Sequence, residues 1–466
     1  MHCGVCVMKF FERTYDSFDR IIGRLKHPVL IMLLIGLIVR LLFIPLSVSD
    51  SQFWFKTSEN IASGFGLYGR TGFYYSPPFG YIFGIVTVLG NVLLSIPVFA
   101  SFSDPMIGLT QFYPFTTVIT SIGYNAMYKI PLIIGDVLVS ALLYWFIMRM
   151  TGDKTKAVLA FALWFLSPLV IFESSIHGMV DVYSALLSLL CVAFLFKDRY
   201  FFAGLALGGA FFVKMFPAVL LPLAVVYIIH KCRGDRMAAF KNIMVAAIGA
   251  ILAFIIIYIP IFMDGSFIES WGFMTNRASG VGSLSSGGKA VVDSIRDLGN
   301  MAGFIALAVA CLISIYLSHL YCKNQSEDRE RLFLSMAVVV IGISFLWVPM
   351  PQYLVLLVPF VIIAAVMYDR RLITSVILMS IGGVVMILMV EGPSALFLSL
   401  GVHTGIVDLD SVINSILAYV DTPRSGQYSY LQMFFVGLGA FIQGVGVFIA
   451  IARNSFVFRR GANEEV

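Results

Sequence analysis

Charge is scarce in this sequence. Of 466 residues only 12% are Asp, Glu, Lys or Arg, and 59% are hydrophobic, whereas soluble domains carry about 25% charged residues. A mean hydropathy of +0.93 points the same way, and an ordinary soluble protein is excluded. A net charge of +5 is too mild for a nucleic-acid-binding face. Cysteine is also sparse: six residues at 3, 6, 191, 232, 311 and 322 imply no disulfide framework. Cys3 and Cys6 have metal-ligand spacing, but no second pair completes a site. A phosphate-cradling GxxxxGK[ST] loop is missing, so nucleotide-driven chemistry is not expected. No internal repeat is evident, which weighs against an inverted-repeat transporter. Residues 1–27 lack the short apolar core and small-residue cleavage site of a signal peptide, so the first span is expected to be retained.

What the sequence has is apolar runs of membrane-spanning length. They predict an all-α polytopic transmembrane bundle of about 13–14 segments, near 28–48, 79–99, 106–126, 129–148, 157–176, 180–196, 200–213, 216–230, 242–262, 301–321, 332–349, 353–368, 372–391 and 431–452. A helix exit for the first span leaves 22 of the 31 Lys and Arg at one set of junctions and tails. By the positive-inside rule that set is cytoplasmic, with both termini. The expected organisation is a cytoplasmic segment 1–27, a membrane module 28–452 with extracytoplasmic loops 49–78, 263–300 and 391–430, and a cytoplasmic tail 453–466. Residues 79–128 read either as two crossings or as a re-entrant pair. Tyr200 to His230 is too short for two full spans and predicts a hairpin broken at Lys214-Met215-Phe216-Pro217. The Gly- and Ser-rich stretch 280–288 fits a gate or a slack connector.

Polar side chains within a span cost about 2.5–3.5 kcal/mol each for a charge at its centre, and they mark function by default. On the extracytoplasmic half these are Arg40, Asp50, Lys129, Asp136, Glu173, His177, Asp181, Lys214, Gln352 and Tyr353. Trp54, Phe55, Tyr68, Tyr74 and Tyr75 roof the region beside Asp50, and each ring taken alone reads as interfacial belt. Glu173, His177 and Asp181 recur every four residues and would share a face of a continuous helix, where a divalent ion is an alternative. Gly178 predicts a break instead.

Taken in order, several fragments resemble a membrane glycosyltransferase of the C fold class. They are Arg40 with Asp50, Tyr75-Ser76-Pro77-Pro78, Lys129 with Asp136, Ser167-Pro168, His177-Gly178-Met179-Val180-Asp181, Lys214-Met215-Phe216-Pro217 with Pro222, and Pro351-Gln352-Tyr353 with Pro359. The similarity is greatest to mannosyltransferases related to the first GPI mannosyltransferase. One departure stands out: the family often has Gly-Gln-x-Asp where Met179 replaces the amide.

The resemblance implies inverting transfer of one hexose, mannose foremost, from a polyprenyl or dolichyl phosphate to a lipid-linked glycan or glycolipid on the extracytoplasmic face. It implies Asp50 as base, with Asp181 positioning the acceptor or sharing that role. Asp181 also reads as an ordinary charge at a helix start. Lys214, Lys129 and Arg40 are the candidate cations for the donor phosphate, although snorkelling explains Arg40 equally. His177, Gln352, Tyr353 and Tyr75 are candidate sugar or phosphate contacts. No cofactor or nucleic acid is expected, while membrane lipids are partners and a membrane subunit remains open. Two rival readings are a lipid or solute transporter with Asp50, Asp181 and Lys214 as its relay, and a non-catalytic relative of the same fold.

Overall fold

The computed structural model describes residues 26–48, 51–68, 73, 75–93, 106–108, 117–119, 121–232, 234–270, 329–347, 350–390 and 430–463, with isolated positions at 312 and 316. Helices α1 (Pro28–Phe43), α2 (Ser51–Ala62) and α3 (Pro77–Leu93) come first, followed by a small antiparallel ribbon of β1 (Met106–Gly108) and β2 (Thr117–Ile119) that pairs Ile107 with Val118. Then come α4 (Ile122–Thr151), α5 (Lys154–Phe165), α6 (Pro168–Phe172) continuing as a π turn (Glu173–His177), α7 (Asp181–Phe196) and α8 (Tyr200–Val213). A 3₁₀ turn (Phe216–Val219) leads into α9 (Leu220–Lys231), and α10 (Arg236–Asp264), α11 (Arg329–Trp347), α12 (Pro351–Met367), α13 (Leu372–Val390) and α14 (Tyr430–Asn463) complete the order.

The protein is an all-α, polytopic membrane bundle. Among the described residues, four helices are long and apolar enough to cross a membrane, and a fifth span results if α5 and the α6–π segment, bent by 45°, count as one. Six further apolar helices have 10–17 residues. The ribbon replaces part of the helix expected over 106–126. The runs expected at 301–321 and most of the loops 263–300 and 391–430 lie outside the described residues.

Small residues let helices approach to backbone contact, as membrane bundles favour. A Cβ on Gly204 or Gly249 would fall within 2.1 Å of a carbonyl oxygen across the α8–α10 crossing. Gly382 and Gly439 face each other in the same way between α13 and α14. The central layer is α12, whose residues from Leu354 to Val366 are all buried. Lipid-facing character falls instead on α1 and α10, whose Ile38, Leu42, Ile248 and Ile256 are exposed.

Candidate functional site

Two helix breaks build the polar centre. Pro168 cannot continue α5, and the residue before it, Ser167, is extended. The break leaves the Phe165 carbonyl without its helical partner. Arg40 takes it up, donating from Nη1 at 2.7 Å while Nε reaches Asp136 Oδ2 at 2.9 Å. Its guanidinium also lies 4.1 Å from the Phe165 ring centroid. At the end of α1, Lys129 Nζ donates to the carbonyls of Ile44 (3.0 Å) and Leu46 around Pro45. Arg40 and Lys129, both expected at a donor phosphate, are thus fully buried with protein partners that join α1 to α4 and α5.

The second break follows the π turn. Gly178 sits at φ +76, and a Cβ there would come 2.4 Å from the Tyr128 ring, so both backbone and space call for glycine. The amides of Gly178 and Met179 donate back to the Glu173 carbonyl at 2.8 and 2.9 Å. Glu173 and His177 are brought side by side, with Oε2 and Nδ1 2.8 Å apart and both residues buried. Asp181 then begins a new helix, so the three residues do not share one continuous helical face.

Helices α7 and α8 form a hairpin of 16 and 14 residues joined at 197–199. From that junction, α7 rises about 24 Å and α8 about 21 Å at 1.5 Å per residue. Asp181 and Lys214 therefore arrive together at its open end. Lys214 is extended (φ −149, ψ 142), ending α8 where the sequence predicted the break. Its Nζ lies 3.2 Å from Asp181 Oδ1. It stands 5.1 Å from the Tyr75 ring centroid and 4.8 Å from that of Tyr353, distances at which a cation is attracted to the ring faces. Of the three cations, Lys214 alone keeps measurable exposure, 9% against 0% for Arg40 and Lys129.

Tyr75, Lys214, Asp181 and Tyr353 are thus brought together, with Gln352 buried in the first turn of α12. Asp50 and Tyr74 lie outside the described residues. The aromatics expected as a roof are packed into one another: Trp54 meets Tyr75, Phe79 and Phe83 at 4.7–5.4 Å, and the Tyr68 hydroxyl donates to the Tyr75 carbonyl. Burial also raises the phenol pKa of Tyr68, so this hydroxyl stays a donor. At the position where the resemblance lacks its amide, the Tyr75 hydroxyl donates to Met179 Sδ at 3.8 Å.

Three features were not read from the sequence. Phe216 was taken only as part of the break, yet its ring packs against that of Tyr353, tilted by 39° with centroids 4.2 Å apart. Glu173 and His177 were read as members of a four-residue series with Asp181 that marks function and that a divalent ion could join; the direct carboxylate–imidazole pair is the part that was missed. A groove of about 570 Å³ runs between α3 and α10, lined among others by Gly80, Gly84, Val88, Ile261 and Asp264. Gly80 and Gly84, one turn apart in an apolar helix, were its trace in the sequence.

Comparison with known families agrees with this architecture. The profile of glycosyltransferase family 87 matches residues 102–349, more than half of the chain and including α4 to α10 with Lys129, Asp136, Glu173, His177, Asp181 and Lys214. No curated protein matches the chain. With that match over a polytopic helical bundle, the chain belongs to glycosyltransferase family 87 and is a membrane glycosyltransferase of the C fold type, acting on a sugar donor and an acceptor.

Proposed function

We propose that the protein transfers a single hexose, mannose foremost, from a polyprenyl or dolichyl phosphate to a lipid-linked glycan or glycolipid, with inversion, at the extracytoplasmic face. The observation that carries this reading is the Lys214–Asp181 pair at the open end of a short hairpin, held between the rings of Tyr75 and Tyr353. That end lies away from the Lys197 and Arg199 junction, which the positive-inside rule assigns to the cytoplasm.

In this reading the acceptor hydroxyl attacks the anomeric carbon on the face opposite the phosphate. Asp50 takes the hydroxyl proton, a role that contributes about 10²–10⁴-fold in enzymes generally. As the anomeric C–O bond breaks, its electron pair leaves with the polyprenyl phosphate, and Lys214 offsets the growing charge in a water-poor setting. Tyr75, Tyr353, Gln352 and His177 contact the sugar or phosphate, and Asp181 orients the acceptor. Arg40 and Lys129 hold the first span against the site instead of binding phosphate. The apolar groove beside Gly84 suits a lipid chain, in keeping with substrates that remain in the bilayer.

The test is transfer of labelled mannose from a polyprenyl-phosphate-linked donor in membranes containing the wild-type chain or Lys214→Gln at equal expression. Wild-type membranes transfer the sugar, and the variant loses about 10²-fold or more. Folded wild-type protein that transfers no polyprenyl-linked hexose overturns the proposal.

A further inference from the structure

Lys214 does not wait bare for an anion: Asp181 already occupies it. Resting on the donor reading above, we infer that Asp181 is a placeholder for the donor phosphate, exchanged one negative charge for one when the donor enters and thereby released toward the acceptor.

Four features support the exchange. The contact is loose, since 3.2 Å exceeds the 2.7–2.9 Å typical of tight charge-assisted N–H···O bonds. Only Oδ1 is engaged, and Oδ2 has no hydrogen-bond partner among the described residues. Lys214 is the one of the three cations whose side chain is not fully buried, while its Nζ is itself covered, so a donor phosphate reaches it by displacing what lies over it. Asp181 also has somewhere to go. It is the first residue of α7, where the helix dipole favours a negative charge that has lost its cation.

A phosphodiester-linked sugar carries one negative charge, as the carboxylate does, so the exchange leaves the buried charge balance unchanged. That matters because breaking a buried pair without replacement leaves an uncompensated buried charge. The freed Asp181 then accepts a hydrogen bond from the acceptor hydroxyl. Acceptor positioning is in this way coupled to donor occupancy, and Asp181 acts as a positioning residue.

The experiment measures binding of polyprenyl monophosphate and the donor KM for the purified full chain, comparing wild type, Asp181→Asn, Lys214→Gln and the double variant. Asp181→Asn is expected to bind polyprenyl phosphate about tenfold more tightly and to lower the donor KM while kcat falls. Lys214→Gln is expected to weaken binding about tenfold, and adding Asp181→Asn to it should bring no gain. An Asp181→Asn protein that binds no more tightly than wild type, while Lys214→Gln still weakens binding, overturns the placeholder and leaves the donor reading standing. Wild-type protein that binds no polyprenyl phosphate overturns both. If Asp181→Asn is unstable alone, polyprenyl phosphate present through purification should restore its folded yield, because the phosphate supplies the missing charge. Failure of that rescue overturns the inference.

Discussion

Arg40 reaches Asp136 at 2.9 Å and also donates to the carbonyls of Phe165 and Gly36, while Lys214 has Asp181 at 3.2 Å and two tyrosine rings nearby. Both pairs are buried in the same polar centre, but their surroundings differ. A guanidinium offers five donors in a fixed fork, and Arg40 uses several of them to close a helix break. An ammonium is a compact point charge on a flexible stem, and Lys214 sits at a helix end beside the rings of Tyr75 and Tyr353. On the placeholder reading, the first arrangement resists exchange and the second permits it. Charge in a membrane protein therefore reads as scaffold or as site according to the kind of group each cation meets, backbone carbonyls and a carboxylate for Arg40, aromatic rings at a helix end for Lys214.

Breaking the scaffold pair has the largest expected effect. Arg40→Ala should cost about 3–5 kcal/mol of stability, read as a large fall in folded yield and in the melting temperature of the detergent-solubilised protein. Lys214→Gln should show the opposite balance. Transfer drops by about 10²-fold or more, and the loss of folded protein is smaller than for Arg40→Ala. A Lys214→Gln protein that melts as low as Arg40→Ala would erase the contrast.

Gly178→Ala places a Cβ against the Tyr128 ring at a left-handed backbone position. A loss of about 1–3 kcal/mol is expected, with transfer impaired because Glu173, His177 and Asp181 flank it. Glu173→Gln keeps the shape of the π turn and removes the carboxylate beside His177. Transfer should fall about tenfold with little change in melting, in line with the weakening of one charge-assisted hydrogen bond. The exposed pair Lys231–Asp198, with side chains 29% and 53% accessible, gives the smallest effect. Lys231→Ala should change stability by no more than about 1 kcal/mol and leave transfer as in wild type.

Much of this was legible beforehand because apolar length and helix breakers act locally. Gly178 and the Lys214–Pro217 stretch end or bend a helix for reasons carried by their own backbones, and those breaks fall where they were expected, whereas the break at Pro168 divides a run read as one span over 157–176. The partners of the charged residues were not legible. Lys129 and Lys214 are both lysines near helix irregularities, and nothing local distinguishes the one that closes α1 from the one that meets Asp181. The aromatics of 54–75 were similarly ambiguous, since a ring at an interface and a ring inside a cluster have the same composition signal.

The sequence alone established that the chain is a membrane bundle, two of the places where its helices break, and that costly charges gather in one part of it, since hydropathy and backbone stereochemistry depend on residues close in the chain. Only the tertiary structure decided that Arg40 belongs to Asp136 across 96 residues and Lys214 to Asp181 at the end of a hairpin. Ion pairing depends on which helix ends meet in space. That is set by matched helix lengths and by glycine-permitted close packing, not by any single residue.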